Sequence, residues 1–133
     1  MKKILVAYDG GDPARRALGM AAEFATRFGA SVGVVSVVPF RTGRSPVDPW
    51  DDRELHTRQL AEARDLLRER GIESVLHEPA GDPAVEIERI AASGDYDVIV
   101  VGSRGLGSIE RFLQGSVSEH VATHAGQTVI VTR

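Results

Sequence analysis

The chain has 133 residues, of which 42% are hydrophobic and 26% charged, the balance of an ordinary soluble domain. Sixteen basic residues against nineteen acidic ones give a net charge of -3, which provides no electrostatic footprint for nucleic acid or an anionic membrane. The absence of cysteine excludes disulfides, thiolate metal sites and a cysteine nucleophile.

Short runs rich in valine and isoleucine predict the strands of the fold. Four of these runs are apolar on both faces, as the strands of a parallel sheet covered by helices must be. The four runs are Ile4–Tyr8, Ser31–Val38, Val98–Val101 and Thr128–Thr132. A fifth run, Glu73–His77, mixes polar and apolar residues and predicts an edge strand.

Helical periodicity separates these strands. An aspartate followed by proline, at Asp12 and again at Asp82, predicts an N-cap with proline in the first turn. Two further helices are predicted, one that ends before Gly71 and one over residues 115–126. The resulting β-α alternation predicts one α/β domain over residues 1–133. Its sheet is a doubly wound, Rossmann-like sheet of five parallel strands in the order 3-2-1-4-5, with helices on both faces.

Several residues that suit an anionic ligand follow the predicted strands. Asp9 follows the first strand, Gly102 and Gly105 follow the fourth, and Gly115 and Ser116 open the last helix. Glycines leave room for sugar and phosphate near the backbone, and the free N–H groups of a helix start attract phosphate. An aspartate can accept hydrogen bonds from ribose or hold a phosphate-bound Mg²⁺.

The spacing Gly102-x2-Gly105-x9-Gly115-Ser116 matches the ATP-binding signature of the universal stress protein family, and Lys3–Gly10 resembles the opening strand of that family. The resemblance extends over essentially the whole chain. It implies a nucleotide-binding site made of Ala7, Asp9, Val37, Val101, Gly102, Gly105, Gly115, Ser116, Val117 and Ser118.

The resemblance also assigns roles within that site. It implies that Ala7 and Val37 lie beside the adenine and that Asp9 contacts the ribose. Val101, Gly102 and Gly105 would then line the ribose and phosphates of ATP, and its phosphates, which carry Mg²⁺, would be bound by the residues at the start of the last helix, Gly115, Ser116, Val117 and Ser118.

From this site we expect an ATP-binding stress-response protein that acts as a nucleotide-dependent regulator. No general base is evident near the expected phosphates, so we assign no catalytic residue and expect at most slow ATP hydrolysis. Two alternatives remain open: a dimeric interaction module of the same fold that binds no nucleotide, and an enzyme that uses the cleft for adenylyl chemistry.

The final strand predicts a homodimer. Thr128–Thr132 falls at one edge of the expected sheet and carries neither charge nor proline. An unprotected apolar edge is an aggregation hazard unless it is paired, and an identical strand related by a two-fold axis pairs it.

Other sequence features carry less information. The opening apolar run is interrupted by Asp9 and is too short for a membrane span, so we expect a cytoplasmic protein with no membrane partner. The chain contains no Walker A loop. His120 and His124 are one helical turn apart, but no third metal ligand is evident, so no metal site is predicted there.

Overall fold

A computed structural model describes residues 1–39, 53–102 and 127–132 of the chain. The elements are β1 (Lys3–Ala7), α1 (Asp12–Phe28), β2 (Ser31–Val35), β3 (Val38–Pro39), α2 (Leu55–Arg68), β4 (Ser74–His77), β5 (Ala80–Gly81), α3 (Pro83–Ser93), β6 (Val98–Gly102) and β7 (Thr128–Thr132). From β1 to β6, the longer strands are separated by helices, as the periodicity of the sequence predicts, and two additional two-residue strands are present.

The longer strands form a parallel sheet in the order β4-β2-β1-β6-β7. Counted without the two-residue strands β3 and β5, this is the predicted order 3-2-1-4-5, which is confirmed. Ala7 at the end of β1 pairs with Val35 on one side and with Val101 on the other. The order of the strands therefore reverses between β1 and β6, where open α/β sheets bind their ligands.

The central strands of the sheet are buried on both faces. Alternate residues such as Ile4 and Val6 pack against α1 and α2. Their neighbour Leu5 packs on the opposite face, in a cluster that includes Ile87 of α3. Successive residues of an apolar strand point to opposite faces of the sheet, so both faces can pack against helices. The carboxyl ends of the strands therefore lie between two helical layers.

The second strand is shorter than predicted. The sequence indicates one strand over Ser31–Val38, but β2 ends at Val35, and Val38 starts a separate two-residue strand that pairs with β5. The cause is Pro79, which follows β4 and has no N–H group to continue the ladder with β2. Beyond this break the two segments pair again, and the Val38 N–H donates to the Pro79 carbonyl oxygen at 2.8 Å.

The last strand is less buried than predicted. Thr128–Thr132 was expected to be buried on both faces, but Thr128 is exposed and Val131 is 37% exposed. Within the described part of the chain, β7 pairs with β6 alone, at one end of the sheet. An apolar run such as Val129–Val131 does not distinguish an edge strand from a central one.

One of the two predicted N-caps is correct. The Asp82 carboxylate accepts from the N–H groups of Ala84 and Val85 at 3.0 and 3.3 Å, which caps α3. The prediction at Asp12 is wrong by one residue, because Gly11 is the N-cap of α1 and Asp12 is already helical. Proline in the first turn fixes the position of both helix starts but does not identify the cap.

The predicted helix over residues 115–126 lies outside the described residues, and so do His120 and His124. Within the described ranges, no helix is both long and apolar enough to cross a membrane.

Candidate functional site

Three of the predicted site residues belong to one apolar cluster at the carboxyl end of the sheet. Ala7 and Val101 occupy paired positions of β1 and β6, so their side chains point to the same face. Val37 joins them in the cluster beneath α3, where Val37 and Val101 are buried and Ala7 is partly buried. This cluster belongs to the hydrophobic core beneath α3 and reaches the point where the strand order reverses.

Asp9 lies on the exposed turn that follows β1. Its Oδ1 accepts from the Gly11 N–H at 2.9 Å, which is the local side-chain turn that aspartate commonly makes. Gly10 between them has φ of 82°, a left-handed conformation that glycine adopts without strain. The turn therefore depends on glycine at position 10 and holds an exposed carboxylate at the edge of the sheet.

Gly102 lies at the end of β6 against the first turn of α1. A Cβ at this position would be 2.6 Å from the backbone nitrogen of Ala14 and from the carbonyl carbon of Pro13. The sequence predicts a glycine here because a sugar and phosphates need space near the backbone. The structure adds a second reason, because the close approach of the α1 backbone already excludes any side chain at this position.

Thr132 ties the end of β7 to the same helix start. Its Oγ1 lies 2.9 Å from the Pro13 carbonyl oxygen and 3.3 Å from that of Val101, and the residue is 6% exposed. The hydroxyl donates its one proton to either carbonyl group. Sequence reasoning missed this contact, since a threonine at a strand end carries no signal of a partner 119 residues away.

The start of α2 contacts the ends of β1 and β2 through polar side chains that the sequence analysis also missed. Ser36, which is 2% exposed, contacts Nδ1 of His56 through its hydroxyl group. Gln59 Nε2 donates to the carbonyl oxygen of Asp9 at 2.7 Å. These contacts connect the turn after β1 with the residue after β2.

Tyr8 connects the end of β1 to the helices on the other face. Its hydroxyl donates to Glu62 Oε1, which also accepts from Nε and Nη2 of Arg15 at 3.1 and 2.9 Å. Burial, reinforced by the hydrogen bond to Glu62, raises the pKa of Tyr8 to about 12. The donors Tyr8 and Arg15 lower the pKa of Glu62, so the neutral phenol and the ionised carboxylate are both stabilised.

The other predicted site residues are Gly105, Gly115, Ser116, Val117 and Ser118. They lie outside the described residues, so their assignment to the phosphates stays a prediction. Among the described residues, no group of three or more histidine and acidic side chains is arranged to hold a metal ion.

The fold and the position of the cluster define a class of protein: an open, doubly wound α/β protein with its candidate site at the reversal of strand order. The sequence model of the universal stress protein family matches residues 1–133. A universal stress protein from Thermus aquaticus is 35% identical over 140 residues, covering 99% of this chain and 98% of that protein. The chain belongs to the universal stress protein family.

Solved structures agree with this membership. A universal stress protein from Archaeoglobus fulgidus is 30% identical and superimposes with a TM-score of 0.75, covering 100% of this chain and 94% of the other. A structure of the universal stress protein from the same organism in complex with dAMP is 29% identical, has a TM-score of 0.73, and covers 100% and 98% of the two chains.

Proposed function

We propose that this chain binds ATP at the reversal of strand order and acts as a nucleotide-dependent regulator in a stress response. The observation that carries the proposal is the likeness over the whole chain to an Archaeoglobus fulgidus protein that was solved with dAMP. The apolar cluster of Ala7, Val37 and Val101 and the exposed Asp9 carboxylate support it, because apolar residues and a hydroxyl acceptor both lie at the carboxyl ends of adjacent strands.

Mg²⁺ accompanies the phosphates in this proposal. Magnesium is commonly held by phosphate oxygens and waters with few protein ligands, so the Asp9 carboxylate is left to the ribose hydroxyls in this proposal. Gly105, Gly115, Ser116, Val117 and Ser118 are proposed to bind the phosphates. The ion would neutralise phosphate charge there.

Binding rather than committed catalysis is the proposed activity, with at most slow hydrolysis. Oδ1 of Asp9 is engaged by the Gly11 N–H, which favours a binding role over proton transfer. The site is proposed to work in the cytoplasm.

Extraction of nucleotide from freshly purified protein, with identification by mass, tests the proposed ligand. ATP should be recovered in a molar ratio approaching one per chain. Protein that carries no nucleotide and gives no heat with ATP in calorimetry would favour an interaction module that binds none. A covalent adenylyl product after incubation with ATP would favour an enzyme.

We also propose that two copies pair through β7. Val131 is 37% exposed on this strand at the end of the sheet, and strand pairing would cover its edge. Light scattering on a size-exclusion column should report a dimer for the wild type and a monomer for Val131→Lys. Val75→Lys, on the exposed face of the opposite edge strand β4, is the matched control and should stay dimeric. A monomeric wild type, with and without ATP, would refute the pairing.

A further inference from the structure

Gln59, near the start of α2, reaches the turn that carries Asp9. Its Nε2 donates to the Asp9 carbonyl oxygen at 2.7 Å, a short and strong geometry for an amide donor. Its side chain also lies against Gly10, where a Cβ would be 3.5 Å from both Cγ and Nε2 of Gln59. Gln59 of α2 therefore contacts the turn both through a hydrogen bond and through van der Waals packing.

The other end of the same amide group faces β2. Ser36 Oγ lies 3.5 Å from Gln59 Oε1, and the Ser36 hydroxyl also contacts Nδ1 of His56. A hydroxyl beside Oε1 and a carbonyl oxygen beside Nε2 agree with one orientation of the amide group. Gln59 therefore bridges the end of β2 to the turn after β1.

Asp9 is consequently held from two directions. The Gly11 N–H fixes its carboxylate through Oδ1 at 2.9 Å, and Gln59 fixes its carbonyl oxygen. The left-handed Gly10 lies next to Asp9 and allows both contacts in so short a turn. A carboxylate held in this way loses little conformational freedom when a ligand hydroxyl binds to it.

We propose that Gln59 positions the Asp9 carboxylate for the sugar hydroxyls of the bound adenine nucleotide and so makes the site discriminate in favour of ribose. The inference rests on the proposed nucleotide site and assigns a residue to its sugar specificity. Gln59 acts through Asp9 and does not contact the nucleotide in this proposal. Replacing Gln59 should therefore reduce the affinity that the ribose hydroxyls contribute, and leave the contacts with adenine and phosphate unchanged.

Calorimetry with two ligands on two proteins tests the inference. The variant Gln59→Met keeps the length of the side chain and removes the Nε2 donor. The ligands are ATP and 2′,3′-dideoxy-ATP, each with Mg²⁺. The wild type should bind dideoxy-ATP about tenfold more weakly than ATP, since the hydroxyls bind a charged acceptor. Gln59→Met should bind ATP about threefold to tenfold more weakly than the wild type and bind dideoxy-ATP equally well.

A neighbouring residue provides the matched control. Arg58 is exposed on the same turn of α2, and Arg58→Gln should leave both affinities unchanged. If Gln59→Met does not fold, Gln59→Asn shortens the side chain, retains its amide group and should give the same selective loss.

The possible results separate this inference from the proposed function. Equal weakening of both ligands would assign Gln59 to general support of the fold and overturn the inference. Wild-type affinities of Gln59→Met for both ligands would overturn it as well. Failure of the wild type to bind ATP at all would overturn the proposed function, and the inference with it.

Discussion

The two strand ends that flank the candidate site are held in different ways. After β1, the exposed turn from Asp9 to Gly11 is held by hydrogen bonds, one of them from Gln59. At the end of β6, Gly102 is buried and is held by close contact with the backbone of α1. Both ends carry glycines that the sequence analysis placed near a ligand. Within the described residues, the turn after β1 combines its glycine with an exposed carboxylate, that of Asp9.

This difference separates positions that support the fold from positions available to a ligand. The β6 end is packed too tightly to change without loss of stability. The turn from Asp9 to Gly11 is held by hydrogen bonds whose removal should alter ligand affinity more than folding, whereas Tyr8 just before it supports the fold. The following variants test that division, in order of decreasing expected effect.

Gly102→Ala should destabilise the fold by about 3 kcal/mol, because the new Cβ would displace the backbone of α1. Urea denaturation provides the measurement. Gly19→Ala is the matched control, since among the described residues a Cβ there meets only Arg70 Nη2, at 3.7 Å, and alanine favours the helix. If the two variants have the same free energy of unfolding, the β6 end is not as tightly packed as described.

Thr132→Val should lower the free energy of unfolding by about 2 kcal/mol. The substitution keeps the shape of the side chain and removes the buried donor to the carbonyl groups of Pro13 and Val101. Thr128→Val, on the exposed end of the same strand, should change it by less than about 0.5 kcal/mol. If the two substitutions change the free energy of unfolding equally, the Thr132 hydroxyl does not stabilise the contact between β7 and α1.

Tyr8→Phe should cost about 1 kcal/mol near neutral pH, because the hydrogen bond to Glu62 is lost. Tyr8 has its pKa raised from 10.0 to about 12, so its neutral form is favoured by folding. The stabilisation is complete below pH 10 and decreases as pH rises through 10 towards 12.

Denaturation of both proteins at a series of pH values measures this effect. The advantage of the wild type over Tyr8→Phe should shrink above pH 10. A difference between the two proteins that stays constant from neutral pH to pH 12 would contradict the shifted pKa of Tyr8.

The sheet could be predicted because each of its strands is marked by a short apolar run that is recognised without knowledge of distant residues. Runs such as Val98–Val101 and the proline at position 13 identify strands and helix starts without knowledge of their partners. The end of β2 was not predictable, since it depends on Pro79 in a distant segment. Tertiary contact decides such boundaries.

The site was predictable only in part, for the same reason. Asp9 was predicted from its position after a strand, whereas Ala7 and Val101 were implied by the resemblance to the universal stress protein family. Gln59 lies on a helix whose pattern gives no sign that its amide group reaches Asp9. The packing that requires glycine at position 102 likewise depends on how closely α1 approaches β6, which no spacing in the sequence reports.

The most direct test of the account is calorimetric titration of Mg·ATP into the wild type, Asp9→Asn and Asp12→Asn. Asp9→Asn keeps an oxygen that can accept from the Gly11 N–H but removes the negative charge. Asp12 is an exposed carboxylate three residues away on α1 and is the matched control. The account predicts tight binding by the wild type and by Asp12→Asn, and binding at least about tenfold weaker by Asp9→Asn. Equal affinity of all three proteins would contradict the assignment of the turn after β1 to the nucleotide.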